Sequence, residues 1–261
     1  MKKQNFKMLS TKKAFVISLL LTLIIYFFDL ASKNGYFVLK KEYYFVSKVI
    51  DGDTIELSNG ERVRLLGINA PEISEPFGLD AKEYLSKMVE GKNVYLENDL
   101  ILRDNYGRLL AFVFIDNKNI NVDLVRSGLA HTFELNKLSK YVKELKDAEY
   151  YAMANQLGIW KKSNITCIKL VDLKISGVEK VVLKNECNFS IQLKNWILED
   201  ESHNRFKFPS YLFKPNETIE IYSNNKTAKF SFNKNYQIWN KEGDSLFLRD
   251  SEGLLVLFYR Y

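Results

Sequence analysis

Asp51-Gly52-Asp53-Thr54-Ile55-Glu56-Leu57-Ser58-Asn59-Gly60-Glu61-Arg62-Val63-Arg64-Leu65-Leu66-Gly67-Ile68-Asn69-Ala70-Pro71-Glu72 is the stretch on which the fold turns. Ile55 and Leu57, then Val63 and Leu65, alternate with polar residues at the period of a half-buried strand. Asp51-Gly52 and Asn59-Gly60 are pairs that reverse a chain tightly between strands. With Tyr44, Val46 and Val49 upstream, residues 43–66 are expected to form a meander of three short strands.

Downstream, Pro71 and Pro76 mark a loop. Tyr84, Leu85 and Met88 give residues 79–89 helical spacing that ends at Gly91. Residues 94–96 and 109–115 are expected as strands, and residues 120–129 and 137–157 as helices. Five strands interrupted by one helix and followed by others match an α+β OB-fold β-barrel with helices, assigned to residues 42–163. After Trp160 the helical period disappears. Residues 180–183, 191–196, 218–222 and 245–248 alternate as strands between turn clusters, so residues 164–261 are expected to be an all-β sandwich.

Upstream of the barrel the sequence looks like an address. Lys2, Lys3, Lys7, Lys12 and Lys13 make residues 1–13 basic, and an apolar run follows over residues 14–31. That pattern is a signal anchor or signal peptide, an N-terminal hydrophobic helix joined to the barrel by a linker over residues 32–41. The positive-inside rule then places the remainder outside the cytoplasm, membrane-anchored or secreted. The formal charge of +6 belongs largely to this tail, because residues 42–163 hold 16 basic against 19 acidic side chains. A general electrostatic case for nucleic-acid binding therefore fails, and specific residues must carry it.

Three clusters qualify. Asp51 and Asp53 put carboxylates side by side, where an oxygen-ligated divalent cation relieves their repulsion. Arg64 followed by Asn69 and Glu72 combines a guanidinium fork for phosphate, an oxygen for a metal and a carboxylate base. Asp104-Asn105-Tyr106-Gly107-Arg108 is a turn that delivers a second arginine at the start of a strand.

The order of these clusters, with Phe77-Gly78 opening the helix, Leu124-Val125-Arg126-Ser127-Gly128-Leu129-Ala130 and Leu157-Gly158-Ile159-Trp160, resembles the staphylococcal (thermonuclease) nuclease family. The resemblance implies calcium-dependent endonucleolytic hydrolysis of DNA and RNA. It makes Asp53 a metal carboxylate, Glu72 the general base, Arg64 and Arg108 the phosphate-holding arginines and Tyr106 a substrate contact. It also places Asn69 and the backbone carbonyl of Ala70 among the metal ligands, with Asp51 a further candidate. The sequence departs from the family where Asn69 replaces an Asp and Ala70 a Thr, and His131-Thr132-Phe133 does not reproduce the family's stacking tyrosines. Loss of one ligand charge is expected to weaken calcium binding about tenfold, so that Asn69→Asp should restore it.

Residues 178–185, 193–200, 206–209 and 239–244 look similar to a lamin-tail domain, an immunoglobulin-like sandwich with no catalytic residues to transfer. Trp196 and Trp239 are expected in its core, and His203, in a polar turn, is given no role. Cys167 and Cys187 lie symmetrically about Ser176-Gly177, so a hairpin centred there would allow either a disulfide or two buried thiols. The expected partners are a nucleic-acid substrate, the membrane through the N-terminal helix and an unidentified ligand of the sandwich, with the chain a monomer. Two other classes fit the sequence: a catalytically silent nucleic-acid-binding protein on the same scaffold, and a surface interaction protein in which the sandwich matters most.

Overall fold

Alternation of side chains along three strands fixes which face of the barrel is core. The protein is described by a computed structural model over residues 11–33 and 42–261. The basic stretch before residue 11 and residues 34–41 of the linker lie outside the described residues. Strands β1 (Tyr43–Val49), β2 (Thr54–Leu57) and β3 (Arg62–Leu65) form the expected meander, with Val46 opposite Leu57 and Ile55 opposite Val63. These four side chains and Leu65 are buried, so the period of two sends Arg62 and Arg64 to the other face.

After β4 (Ile68–Asn69), and counting the N-terminal helix Thr11–Lys33 as α1, the chain forms α2 (Gly78–Val89), β5 (Asn93–Glu97), β6 (Leu109–Ile115) and β7 (Lys118–Asn119). Helix α3 (Ile120–Arg126), β8 (His131–Thr132) and α4 (Val142–Ala154) complete this half. Strand β1 pairs with β5 and β5 with β6, and β6 returns to pair in parallel with β3, with Val63 opposite Leu109. That parallel pairing closes the five strands into an OB-fold barrel. Asn121, fully buried, locks α3 to the closure: its Oδ1 accepts from the Val113 N–H at 3.0 Å and its Nδ2 donates to the Leu66 carbonyl at 2.8 Å.

The last helix begins at Val142 rather than at Lys137. Asp99 accepts the N–H groups of Ser139 and Lys140 at 2.9 and 3.1 Å, and Tyr141 sits at φ 58° with its hydroxyl on Glu97. These ties hold residues 138–141 out of the helix, and only a 3₁₀ turn forms over Leu135–Lys137.

The second half contains β9 (Ile168–Lys174), β10 (Lys180–Asn185), β11 (Ile191–Gln192), β12 (Ile197–Glu199), β13 (Arg205–Lys207), β14 (Leu212–Phe213), β15 (Thr218–Tyr222), β16 (Ser245–Arg249) and β17 (Leu255–Arg260). A sheet ordered β15-β10-β9 and a sheet ordered β13-β12-β16-β17 enclose a core that includes Trp196 and Trp239. The arrangement is consistent with an immunoglobulin-like sandwich. The strand expected over residues 191–196 stops after Gln192, because Asn195 adopts φ 67° and turns the chain. Strands β9 and β10 form the expected hairpin, and Cys167 and Cys187 are joined by a disulfide.

A third apolar cluster joins the halves, with Ala152, Ile159 and Trp160 from the barrel side and Phe247 and Leu255 from the sandwich. Residues 43–261 form one compact body. Helix α1 (Thr11–Lys33) belongs to the other unit, residues 1–42, and exposes large apolar side chains from Phe15 to Leu30. Among the described residues no helix is long and apolar enough to cross a membrane.

Candidate active site

Register brings the first two clusters together. Thr54 lies opposite Arg64 across β2 and β3, which puts Asp53 beside the guanidinium, with Arg64 Nε 3.1 Å from Asp53 Oδ1. The same guanidinium donates through Nη1 to the carbonyls of Leu65 and Ile68 at 2.7 and 2.9 Å, and through Nη2 to Asn69 Oδ1 at 2.8 Å. An arginine has five N–H donors, of which these hydrogen bonds commit three, so donors remain for a ligand. Asp53 Oδ2 accepts from the Ala70 N–H at 2.9 Å, and Thr54 donates to Asp53 Oδ1 at 3.1 Å.

Parallel closure delivers the third cluster. Because Val63 faces Leu109, the turn before β6 arrives next to β3, and Arg108 Nη1 lies 3.5 Å from Thr54 Oγ1. Asp104 orients Arg108 through an ion pair at 2.7 Å. Burial pushes the Asp104 pKa up, but bonds from the Arg108 side chain and from the N–H groups of Arg108 and Tyr106 outweigh it and hold the group below its usual range. Tyr106 stands exposed, with the Arg108 guanidinium 5.6 Å from its ring centre.

Arg64, Asp104, Tyr106 and Arg108 line one cavity of about 220 Å³ together with Phe133 and Leu138. Phe133 is a site residue that sequence reasoning missed. It lies in the segment noted for lacking the family's tyrosines, yet it supplies an aromatic face across the cavity. An aromatic shortly after Leu129-Ala130 was the available signal.

Glu72 lies off that lining. It is exposed on the loop following Ala70, and among the described residues no hydrogen bond or ion pair occupies its carboxylate. Its N–H donates to Glu75 Oε2 at 2.6 Å. Two glycines shape this loop. A Cβ on Gly78 would collide with the Glu72 carbonyl, and one on Gly52 would lie 2.7 Å from the Cβ atoms of Ala70 and Ala81.

Asp51, Asp53, the Asn69 amide and the Ala70 carbonyl offer oxygen alone, the donor chemistry of a hard divalent cation. Burial, and next the charge of Asp53, push the Asp51 pKa up, which is the repulsion a cation would relieve. The residues present therefore fit such an ion with two carboxylates, although Asp53 and Asn69 now share their oxygens with Arg64.

The sandwich reaches this site. Strand β4 pairs with β8, Asn69 opposite His131, and the His131 ring lies against that of His203, tilted by 37° with ring centres 5.9 Å apart. Asn69 Nδ2 donates to the Glu201 carbonyl at 2.9 Å. Arg205 forms an ion pair with Glu75 and a second with Glu199 at 2.6 Å. His203 thus sits in the contact between the halves rather than in an idle turn.

A closed barrel with two arginines on one cavity, one of them paired with the buried carboxylate of Asp53, is the arrangement of a nuclease. Comparison with known proteins agrees. The model of the Staphylococcal nuclease homologue family matches residues 62–162, and that of the Lamin Tail Domain matches residues 154–261. A thermonuclease of Staphylococcus intermedius is 32% identical over 161 residues, covering 56% of this chain and 96% of that protein. Endonuclease YncB and the SPbeta prophage-derived endonuclease YokF of Bacillus subtilis are each 36% identical over 131 residues, or 45% of this chain. The chain spans 61% and 44% of their respective lengths. The chain belongs to the staphylococcal nuclease homologue family.

Proposed function

We propose that this chain is a calcium-dependent endonuclease that hydrolyses phosphodiester bonds of DNA, RNA or both outside the cytoplasm. The observation that carries the reading is the gathering of Arg64, Arg108 and Tyr106 on one cavity, with Asp53 directly behind Arg64. Asp53, Asn69 and the Ala70 carbonyl would hold calcium, with Asp51 adding charge. When bound, the ion supplies Lewis-acid polarisation of the phosphate. Arg64 and Arg108 then stabilise charge growing on the phosphate oxygens. Tyr106 and Phe133 offer ring faces to a base. Glu72, with its carboxylate unoccupied, takes the proton of the attacking water.

The disulfide between Cys167 and Cys187 supports an oxidising compartment. The exposed apolar surface of α1, following a basic stretch, supports a signal peptide, the one of the two expected addresses that does not need a membrane-spanning helix. We expect the full chain to cleave plasmid DNA or RNA in calcium and to stop in chelator. Retention of binding without cleavage would instead favour a silent nucleic-acid-binding protein.

Asn69→Asp has two opposed consequences. A carboxylate raises ligand charge and is expected to lower the calcium concentration at half-maximal activity about tenfold. It also sets an acceptor against the Glu201 carbonyl, where Asn69 now donates, at a cost of about 1–3 kcal/mol of stability. Calcium titration of activity, alongside denaturant unfolding, reads the two effects separately. An unchanged calcium midpoint would remove Asn69 from the ligand set.

A further inference from the structure

We propose that the sandwich is a working part of the active site, and that Arg205 is a positioning residue for the loop carrying Glu72. The inference rests on the nuclease reading only in naming Glu72 as the base; the loop contact itself is independent of it. Arg205 lies on β13, and its guanidinium is shared between Glu199 on the neighbouring strand β12 and Glu75 in the loop. Glu199 is fixed in turn by Arg249 of β16, Nε to Oε1 at 2.9 Å, so Arg205 is presented from three paired strands.

On the other side, Glu75 pairs with Arg205 through Oε1 while its Oε2 accepts the N–H of Glu72. The path from sandwich to base is therefore one ion pair and one hydrogen bond long. Glu75 is 13% exposed and Arg205 is 23% exposed at the side chain, which shields their attraction from water. Burial, then the charge of Arg249, pushes the Arg205 pKa down to about 10, and the carboxylate of Glu72 opposes that shift. Glu72 and Arg205 thus lie within electrostatic reach of each other.

A second tie acts on the proposed metal side. The Glu201 carbonyl can only accept, and the Arg64 guanidinium can only donate, so between them they leave Asn69 one orientation, with Oδ1 toward Arg64 and Nδ2 toward the sandwich. An aspartate could not make the second bond. The departure from the family's carboxylate is therefore matched by a sandwich carbonyl that requires an amide donor. Both flanks of the 69–75 segment are held by residues from 201–205, and the barrel alone has neither support.

The test uses the full chain and its Arg205→Ala and Arg205→Lys variants. Groups that orient the groups doing the chemistry typically cost about 10–100-fold when removed. Arg205→Ala is expected to lower kcat about tenfold or more with KM little changed, because it touches no substrate. Arg205→Lys, which keeps the charge but cannot fork between Glu199 and Glu75, should fall between. Hydrogen exchange at the Glu72 amide should accelerate in both variants, and this readout needs no activity.

Should Arg205→Ala fail to fold, the lysine variant carries the same comparison. An unchanged kcat and loop exchange in a folded variant overturns the positioning role while leaving the nuclease reading intact. A wild-type chain that cleaves neither DNA nor RNA overturns the nuclease reading instead. The exchange of the Glu72 amide then decides the loop contact by itself: faster exchange in the variants upholds it, and no change ends it.

Discussion

Arg64→Ala is expected to lower the rate of phosphodiester cleavage by about 10²-fold or more, the usual consequence of removing one donor that meets charge developing in a transition state. Three of the five N–H groups of Arg64 are spent on Asn69 and the carbonyls of Leu65 and Ile68, and Nε lies 3.1 Å from Asp53 in an ion pair, so the guanidinium is held in a fixed orientation. Arg64→Lys should lose nearly as much, since an ammonium on a flexible stem cannot fork in this way. Single-turnover cleavage at saturating calcium measures the loss. Unfolding in denaturant controls for the two carbonyls left unpaired. Cleavage at the wild-type rate in a folded Arg64→Ala chain would remove Arg64 from the chemistry.

Glu149→Ala is expected to be the most destabilising of the single substitutions considered, by about 3 kcal/mol or more. Glu149 is buried on α4, where Oε1 accepts both the N–H of Thr132 at 2.8 Å and its hydroxyl at 2.9 Å. Its other oxygen pairs with Arg260 of β17. The substitution leaves the buried N–H and hydroxyl of Thr132 without their acceptor and strips the Arg260 guanidinium of its carboxylate, leaving it only the bond from Nε to Ser245 Oγ at 2.7 Å and water, which costs more than the intact pair contributes. Strand β8, which carries Thr132, is paired with the strand bearing Asn69, so the damage should spread to the candidate site. Chemical denaturation of the two chains gives the difference, and a shift below about 1 kcal/mol would mean that Arg260 finds water instead.

Both expectations draw on information distributed unevenly along the chain. The meander was legible because Ile55, Leu57, Val63 and Leu65 alternate and Asp51-Gly52 and Asn59-Gly60 reverse the chain, all within about twenty residues. Arg64 and Glu72 are spaced closely enough along the chain to be read as one motif, although only Arg64 lines the cavity. Helix α4 was placed five residues early because Asp99 and Glu97, some forty residues away in sequence, pin the segment before it. Phe133 carries only a faint local signal, an aromatic shortly after Leu129-Ala130, because most of the cavity it lines comes from residues 64–68 and 99–110.

What the sequence by itself determined is therefore local: strand periodicity, turns, the arginine and carboxylate motifs, and the hairpin that aligns Cys167 with Cys187. What only the tertiary structure decided is the parallel pairing of β3 with β6 that brings Arg108 to Arg64, and the seating of the sandwich on the Glu72 loop. The Asn69 bond to Glu201 joins residues 132 apart, and the pair of Arg260 with Glu149 joins residues 111 apart. Such contacts leave no periodic trace, because a lone polar residue in a turn reads the same whether it faces water or a partner half the chain away. Their partners exist only once burial of Trp160 against Phe247 and Phe258 has brought the halves together.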